Sequence, residues 1–241
     1  MISSSITSSL KRVFLALLLI LAFCLLISLG FWQLQRAQQK RLLLATFIAR
    51  TQQAPLQVHE LLSKKDLRYY PITLAGKFDN QHTFLLDNRT YHGQIGYEVY
   101  TPFRIKSTDT ILLINRGWIP LGKSRALLPT IPALTQPTIT GILMLPASYF
   151  SLGTLMDTPN HHWPMRIEFI DLQILSKLLG YPLFSYVLCV NMPTMDNFKS
   201  NWQVTMTITP EKHTAYAIQW FALAIGLLVV CVAFMCNHKR T

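Results

Sequence analysis

The chain has 241 residues, of which 51% are hydrophobic and 14% charged, and it carries a net charge of +11. That is too apolar for an average soluble domain and too charged for a chain embedded in lipid throughout, so the apolar excess must be concentrated in segments. The positive charge does not point to nucleic acid: no Asp or Glu precedes Glu60, and most of Lys11, Arg12, Arg36, Lys40, Arg41 and Arg50 flank an apolar run, where cations meet lipid headgroups and set topology.

The first apolar run, Val13 to Phe31, is uncharged and close to the ~20 residues needed to cross a hydrocarbon core. Only a helix satisfies its own backbone groups there, so a transmembrane helix is expected over 13–32 after a short cytoplasmic segment, 1–12. The run is longer than a signal-peptide core, and its end, Ser28-Leu29-Gly30-Phe31-Trp32, makes no persuasive small-x-small cleavage site, which favours an uncleaved anchor. Gln33 to Arg50 keeps a helical texture until Pro55.

From about Tyr69 the texture changes to short alternating runs broken by turn residues, which predicts strands over 70–78, 83–86, 97–105, 110–114, 138–145, 185–190 and 203–208. Lys106 to Asp109 is short enough to force an antiparallel hairpin, and Ile170 to Leu179 reads as a helix stopped by Gly180. The expected fold is therefore two transmembrane helices flanking a mainly antiparallel β domain, a barrel or sandwich with one or two short helices, over 33–212. About 175 residues suffice for one core and hardly for two.

Two segments inside this domain echo each other, Phe84-Leu85-Leu86-Asp87-Asn88-Arg89 and Ile111-Leu112-Leu113-Ile114-Asn115-Arg116. Each reads as an apolar strand ending in a turn. The alternative is that Arg89 and Arg116 project from one rim as an anion or partner site, since a guanidinium fork grips carboxylates as lysine cannot. Cys189 stands alone between the helices, so no disulfide forms there and a buried, inert thiol is expected. Asp157, His161 and His162 in a proline-flanked loop are a weak metal candidate. No Gly-x-Ser-x-Gly, P-loop or dinucleotide-binding pattern occurs, and the expectation is a protein that is not an enzyme.

The second apolar run, Ala215 to Met235, predicts a transmembrane helix over 213–235, followed by a cytoplasmic tail, 236–241. Basic residues before the first helix and after the second, Lys239 and Arg240, place both termini in the cytoplasm and the β domain in the periplasm. At helical spacing His213, Tyr216, Trp220 and Ala224 fall along one side of the second helix. An imidazole at the aqueous edge beside aromatic rings is a candidate axial ligand for a haem lodged in lipid.

Three motifs extend this reading. Gly30-Phe31-Trp32-Gln33-Leu34-Gln35-Arg36 ends the first helix, Gly96-Tyr97-Glu98-Val99 to Phe103 with Leu113 to Pro120 forms a central block, and His213-Thr214-Ala215-Tyr216 to Gln219-Trp220-Phe221 opens the second helix. In order and spacing the chain resembles the surfeit-locus family of cytochrome c oxidase assembly factors. The resemblance implies a chaperone that holds haem a transiently through His213 as iron ligand, with Tyr216 and Trp220 beside it, and assists insertion into the large oxidase subunit. It further implies that the haem a synthesis enzyme is a partner, that the membrane is bacterial inner (plasma) membrane rather than mitochondrial, and that nucleic acid is not bound. Trp32, Arg36, Arg89, Arg116 and Trp118 become candidate partner contacts. The competing expectation is a haem-independent scaffold for oxidase subunits. Glu211 stands where the family often has Asn, and it is a candidate to orient the imidazole.

Overall fold

The structure is a computed structural model, describing residues 2–106, 108–122, 124–125, 127–146, 162–190, 198–200, 202, 206 and 208–238. The chain divides into two compact units, one of Met1–Ala45 with Val204–Thr241 and the other of Thr46–Gln203.

The first unit is built on two helices. Helix α1 (Ile2–Thr51) is continuous, so the apolar run and its amphipathic extension form one element, ending ahead of Pro55. Helix α4 (Pro210–His238) opens with proline at its first helical position, where no backbone hydrogen bond is lost. Thr209 caps it, its Oγ1 accepting from Lys212 N at 3.4 Å. Val13–Thr51 and Pro210–Asn237 are long and apolar enough to cross a membrane by length and composition.

The second unit is a β domain with strands β1 (Pro71–Phe78), β2 (Phe84–Tyr91), β3 (Gln94–Ile105), β4 (Ile111–Pro120), β5 (Thr138–Met144), β6 (Met165–Ile167) and β7 (Val187–Val190), plus short helices α2 (Glu60–Ser63) and α3 (Leu172–Leu179). The sheet order is β1-β5-β7-β4-β3-β2-β6, and β1 also pairs with β3. That extra pairing closes β1-β5-β7-β4-β3 into a five-stranded ring, with β2 and β6 extending from β3. Pairing is antiparallel except for β2–β6 and β4–β7.

Inside the ring lie Ile72, Leu74, Phe103, Leu112, Ile139 and Leu188, all buried, with Leu61 of α2 joining them. A second cluster joins Phe84, Leu86, Tyr100, Leu113 and Val187 to Leu175 of α3. Strand β4 therefore has core on both faces and is buried from Ile111 to Ile119 without alternation. Helix α3 matches its expected span closely. Asp171 accepts at its start from Gln173 N and Ile174 N, and Gly180 ends it in the left-handed conformation at φ 76°.

The strand ends differ from expectation. Strands β2 and β4 do not stop before Asp87-Asn88 and Asn115-Arg116 but run on to Tyr91 and Pro120. The register shifts between Leu86 and Arg89 on β2, and opposite Val99 and Tyr100 the partners on β4 are Gly117 and Asn115. Both echoing segments are β-bulges, so their Asn residues mark an inserted residue and a local kink instead of a turn. The expected strand over 203–208 falls mostly outside the described residues, as do Asp157, His161, Lys239 and Arg240.

Candidate functional site

In the first unit, the partly or fully buried positions of α1 include Leu19, Phe23, Leu26, Gly30, Gln33 and Ala37, alternating steps of four and three. On α4 the corresponding set is His213, Ala217, Phe221 and Ala224. This heptad spacing with small residues is how two helices pack where lipid supplies no hydrophobic drive. Gly30 is the closest point: a methyl there would run into the ring of Phe221, which also meets Phe31 edge-on at 5.4 Å. Nearer the polar end Arg41 Nη2 donates to Thr214 Oγ1 at 3.0 Å.

His213 occupies this seam and is 7% exposed. Its Nδ1 lies 2.7 Å from Gln33 Oε1, a contact joining positions 180 residues apart. With an amide oxygen facing the ring, Nδ1 carries the proton and the lone pair is on Nε2. The first and third sequence motifs are thus one constellation. Gln33 was visible within the first motif, but nothing in a single sequence pairs it with His213. Glu211 does not orient the ring; it is exposed on the first turn of α4.

The expected stripe of His213, Tyr216, Trp220 and Ala224 separates into two flanks. His213 and Ala224 face the seam, whereas Tyr216 is 43% exposed and Trp220 is half-buried. At ~100° per residue Tyr216 stands ~60° from His213, enough to leave the contact line. Tyr216, Gln219, Trp220 and Leu223 together with Gln33 line a cleft of about 350 Å³ beside the seam. Trp32 and Arg36 lie on the outer face of α1, both exposed, with the guanidinium 5.6 Å from the ring centroid.

In the β domain the expected arginine rim is corrected. Arg116 is the inserted residue of the β4 bulge and is 1% exposed. The bulge turns its side chain inward, where Nη2 donates to Pro132 O at 2.8 Å and the guanidinium lies 4.9 Å from the Phe198 ring. Trp118 is likewise buried; its Nε1–H donates to Arg89 O at 2.9 Å and it stacks on Tyr91. Neither presents a docking surface. Arg89 keeps a quarter of its side chain exposed and lies 3.5 Å from Glu98.

Behind Arg89 is a polar network that sequence reading missed. Tyr100 Oη donates to Glu98 Oε2 at 2.7 Å, and Asn115 Nδ2 reaches Glu98 Oε2 at 3.0 Å and Tyr100 Oη at 2.8 Å. Burial, with Glu98 beside it, raises the Tyr100 phenol well above its ordinary value. The signal was a carboxylate two positions from a tyrosine on an otherwise apolar strand. Cys189 is buried, and burial pushes its thiol up, so it stays protonated. Among the described residues no group of three His, Cys, Asp or Glu could hold a metal.

Comparison with known proteins follows the same outline. The chain matches the SURF1 family model over residues 20–225. It is 27% identical over 226 residues to a SURF1-like protein of Rickettsia felis, covering 92% of this chain and 96% of that one. To Surfeit locus protein 1 of Gallus gallus it is 24% identical over 220 residues, covering 84% and 68%, and to that of Mus musculus 25% over 212 residues, covering 81% and 67%.

Proposed function

The chain belongs to the SURF1 family, and on that premise we propose that it is a membrane-anchored, non-enzymatic assembly factor for cytochrome c oxidase. In this reading α1 and α4 cross the bacterial inner membrane with both termini in the cytoplasm. The barrel stands in the periplasm. The helix pair takes haem a from the enzyme that makes it, holds it transiently and assists its insertion into the large oxidase subunit.

The supporting observation is the contact between His213 Nδ1 and Gln33 Oε1 at 2.7 Å. A ligating imidazole commonly has its second nitrogen held by an acceptor, which sets the tautomer and leaves the other nitrogen basic. Haem a would supply an iron for Nε2 and an apolar tail for lipid. The donor chemistry fits. The cleft lined by Tyr216 and Trp220, at about 350 Å³, offers aromatic wall to the edge of such a group. The 7% exposure of His213 means that the seam must open for an iron to reach Nε2 while Gln33 keeps Nδ1. A single ligand reached only by opening that packing binds weakly and releases readily, as transfer demands.

The test is the absorption spectrum of the full chain purified from cells that make haem a. A haem signal in wild type that is lost in His213→Ala supports the proposal; equal signals, or none in either, remove the role. The scaffold reading rests on the exposed Trp32–Arg36 pair. On that reading Trp32→Ala lowers oxidase assembly while the haem spectrum is unchanged.

A further inference from the structure

The pairing that closes the barrel also gathers charge. Between β1 and β3 the register sets Lys77 directly opposite Arg104. One step along, Lys106 N donates to Ala75 O at 2.8 Å, so Lys106 stands opposite Ala75, which in turn pairs with Thr138 of β5. Lys77, Ala75, Arg104, Lys106 and Thr138 occupy alternate positions of their strands and share the outer face. Three cations therefore surround a floor as short as an alanine. With Thr108 and Asp109 they line a cleft of about 750 Å³, within the size of small-molecule sites. Lys77 and Arg104 also line an adjoining hollow of about 220 Å³ with Asp79 and Tyr181.

Like charges directly opposite on paired strands are destabilising, and little here offsets them. None of the three cations forms an ion pair among the described residues. Arg104 lies 6.0 Å from the Tyr181 ring centroid, too far for a strong contact. Asp79 is engaged elsewhere: His82 Nδ1 at 2.6 Å and Tyr181 Oη at 2.7 Å take one oxygen, and Gln81 N takes the other at 3.2 Å. Among the described residues that line the larger cleft, one acid, the exposed Asp109, stands against three cations.

We propose that this cleft binds a phosphate-bearing anion. A single carboxylate would leave the charge unbalanced, whereas a phosphate monoester carries about −1.5 to −2 near neutral pH. Arg104 supplies a fork for two of its oxygens, the lysines supply point charges, and Thr138 is positioned at the rim to donate. The same phosphomonoester chemistry is found on soluble phosphate esters and on phosphatidic acid, the phospholipid whose headgroup is a bare phosphate.

The experiment follows acylation of lysines by peptide mass spectrometry on the full chain in nanodiscs, with the exposed Lys177 as internal control. One arm adds pyrophosphate to phosphatidylcholine discs, with chloride at matched ionic strength as reference. The other uses discs containing phosphatidic acid and no soluble phosphate. Labelling of Lys77 and Lys106 is expected to slow several-fold relative to Lys177, and Arg104→Gln to abolish that protection. Protection in the first arm identifies a soluble phosphate, and protection in the second identifies a headgroup. No protection in either arm, or protection unaltered by Arg104→Gln, overturns the site.

Discussion

The helix pair and the barrel both bury polar side chains, but they treat them differently. In the barrel Arg116 is 1% exposed and its guanidinium is taken up by the Pro132 carbonyl and the Phe198 ring. Asn115 spends its amide on Glu98, Tyr100 and the backbone of Gly117. In the helix pair His213 is nearly as buried, yet one nitrogen is held by Gln33 and the other has no hydrogen-bond partner among the described residues. Incomplete pairing does not by itself mark a site, since Tyr97 Oη in the barrel is buried with no hydrogen-bond partner among the described residues. What sets His213 apart is its place beside an aromatic-lined cleft, and this is why the candidate site lies on α4.

The largest expected effect tests whether the barrel is an independent source of stability. Phe103 is fully buried where β1 closes onto β3, with its ring 4.8 Å from Phe78. Phe103→Ala should cost the barrel about 3–5 kcal/mol, seen in denaturant unfolding followed by tryptophan fluorescence. The far-UV helical signal of α1 and α4 in detergent should persist through that transition. Its loss in the same step would break the distinction between the two units.

Next in size is Asn115→Ala. It leaves Glu98 and Tyr100 paired with each other but removes their shared donor and the acceptor for Gly117 N. A cost of about 1–3 kcal/mol is expected, with the haem spectrum unaltered. A spectrum that changed as much as that of His213→Ala would place the network in the site and erase the contrast.

The helices and most strand cores were legible because period and length are written in the sequence: the two apolar runs, the hairpin at Lys106 to Asp109, and the Asp171 to Gly180 capping signals of α3. What failed were the bulges. Asn88 and Asn115 have the composition of turns, and only cross-strand register shows that each chain continues past them. The failure carried into function, since an arginine expected at a strand end lies instead inside the barrel. At the helix pair the histidine was legible and its partner was not, because a contact across 180 residues has no local signature. The sheet had the same difficulty: β6, of three residues, and the parallel pairing of β4 with β7 depend on long-range placement.

A smaller effect separates the two regions by pH. The Asp79 carboxyl is destabilised by burial but held below its ordinary value by the bonds from His82 and Tyr181, which outweigh that burial. A folded value below the unfolded one gives stability that is full above the unfolded carboxylate range and is lost as pH falls through the folded value. Barrel unfolding should therefore lose stability below about pH 4, and Asp79→Asn should flatten that limb of the curve. In the helix pair the one described carboxylate, Glu211, is held below its ordinary value by hydrogen bonds from its own backbone N–H and Thr209, but it is fully exposed on the first turn of α4, so detergent-phase helicity should stay nearly flat over the same range. A matching loss there would mean that the acid limb has another origin.

The smallest expected effect is the most informative about the site. Hydrogen bonds between membrane helices average about 0.6 kcal/mol in stability, so Gln33→Leu, which keeps volume and removes the acceptor, should hardly alter unfolding. What it removes is the fixed tautomer: the ¹⁵N shifts of His213 should move from a single Nδ1–H form to a mixture. Gln33→Glu should restore and strengthen the Nδ1–H form, because a carboxylate accepts more strongly than an amide. If tautomer and haem signal change together across this pair of variants while stability does not, Gln33 acts by orienting His213. If stability changes and the tautomer does not, the contact is packing, and the helix pair holds its polar groups on the same terms as the barrel.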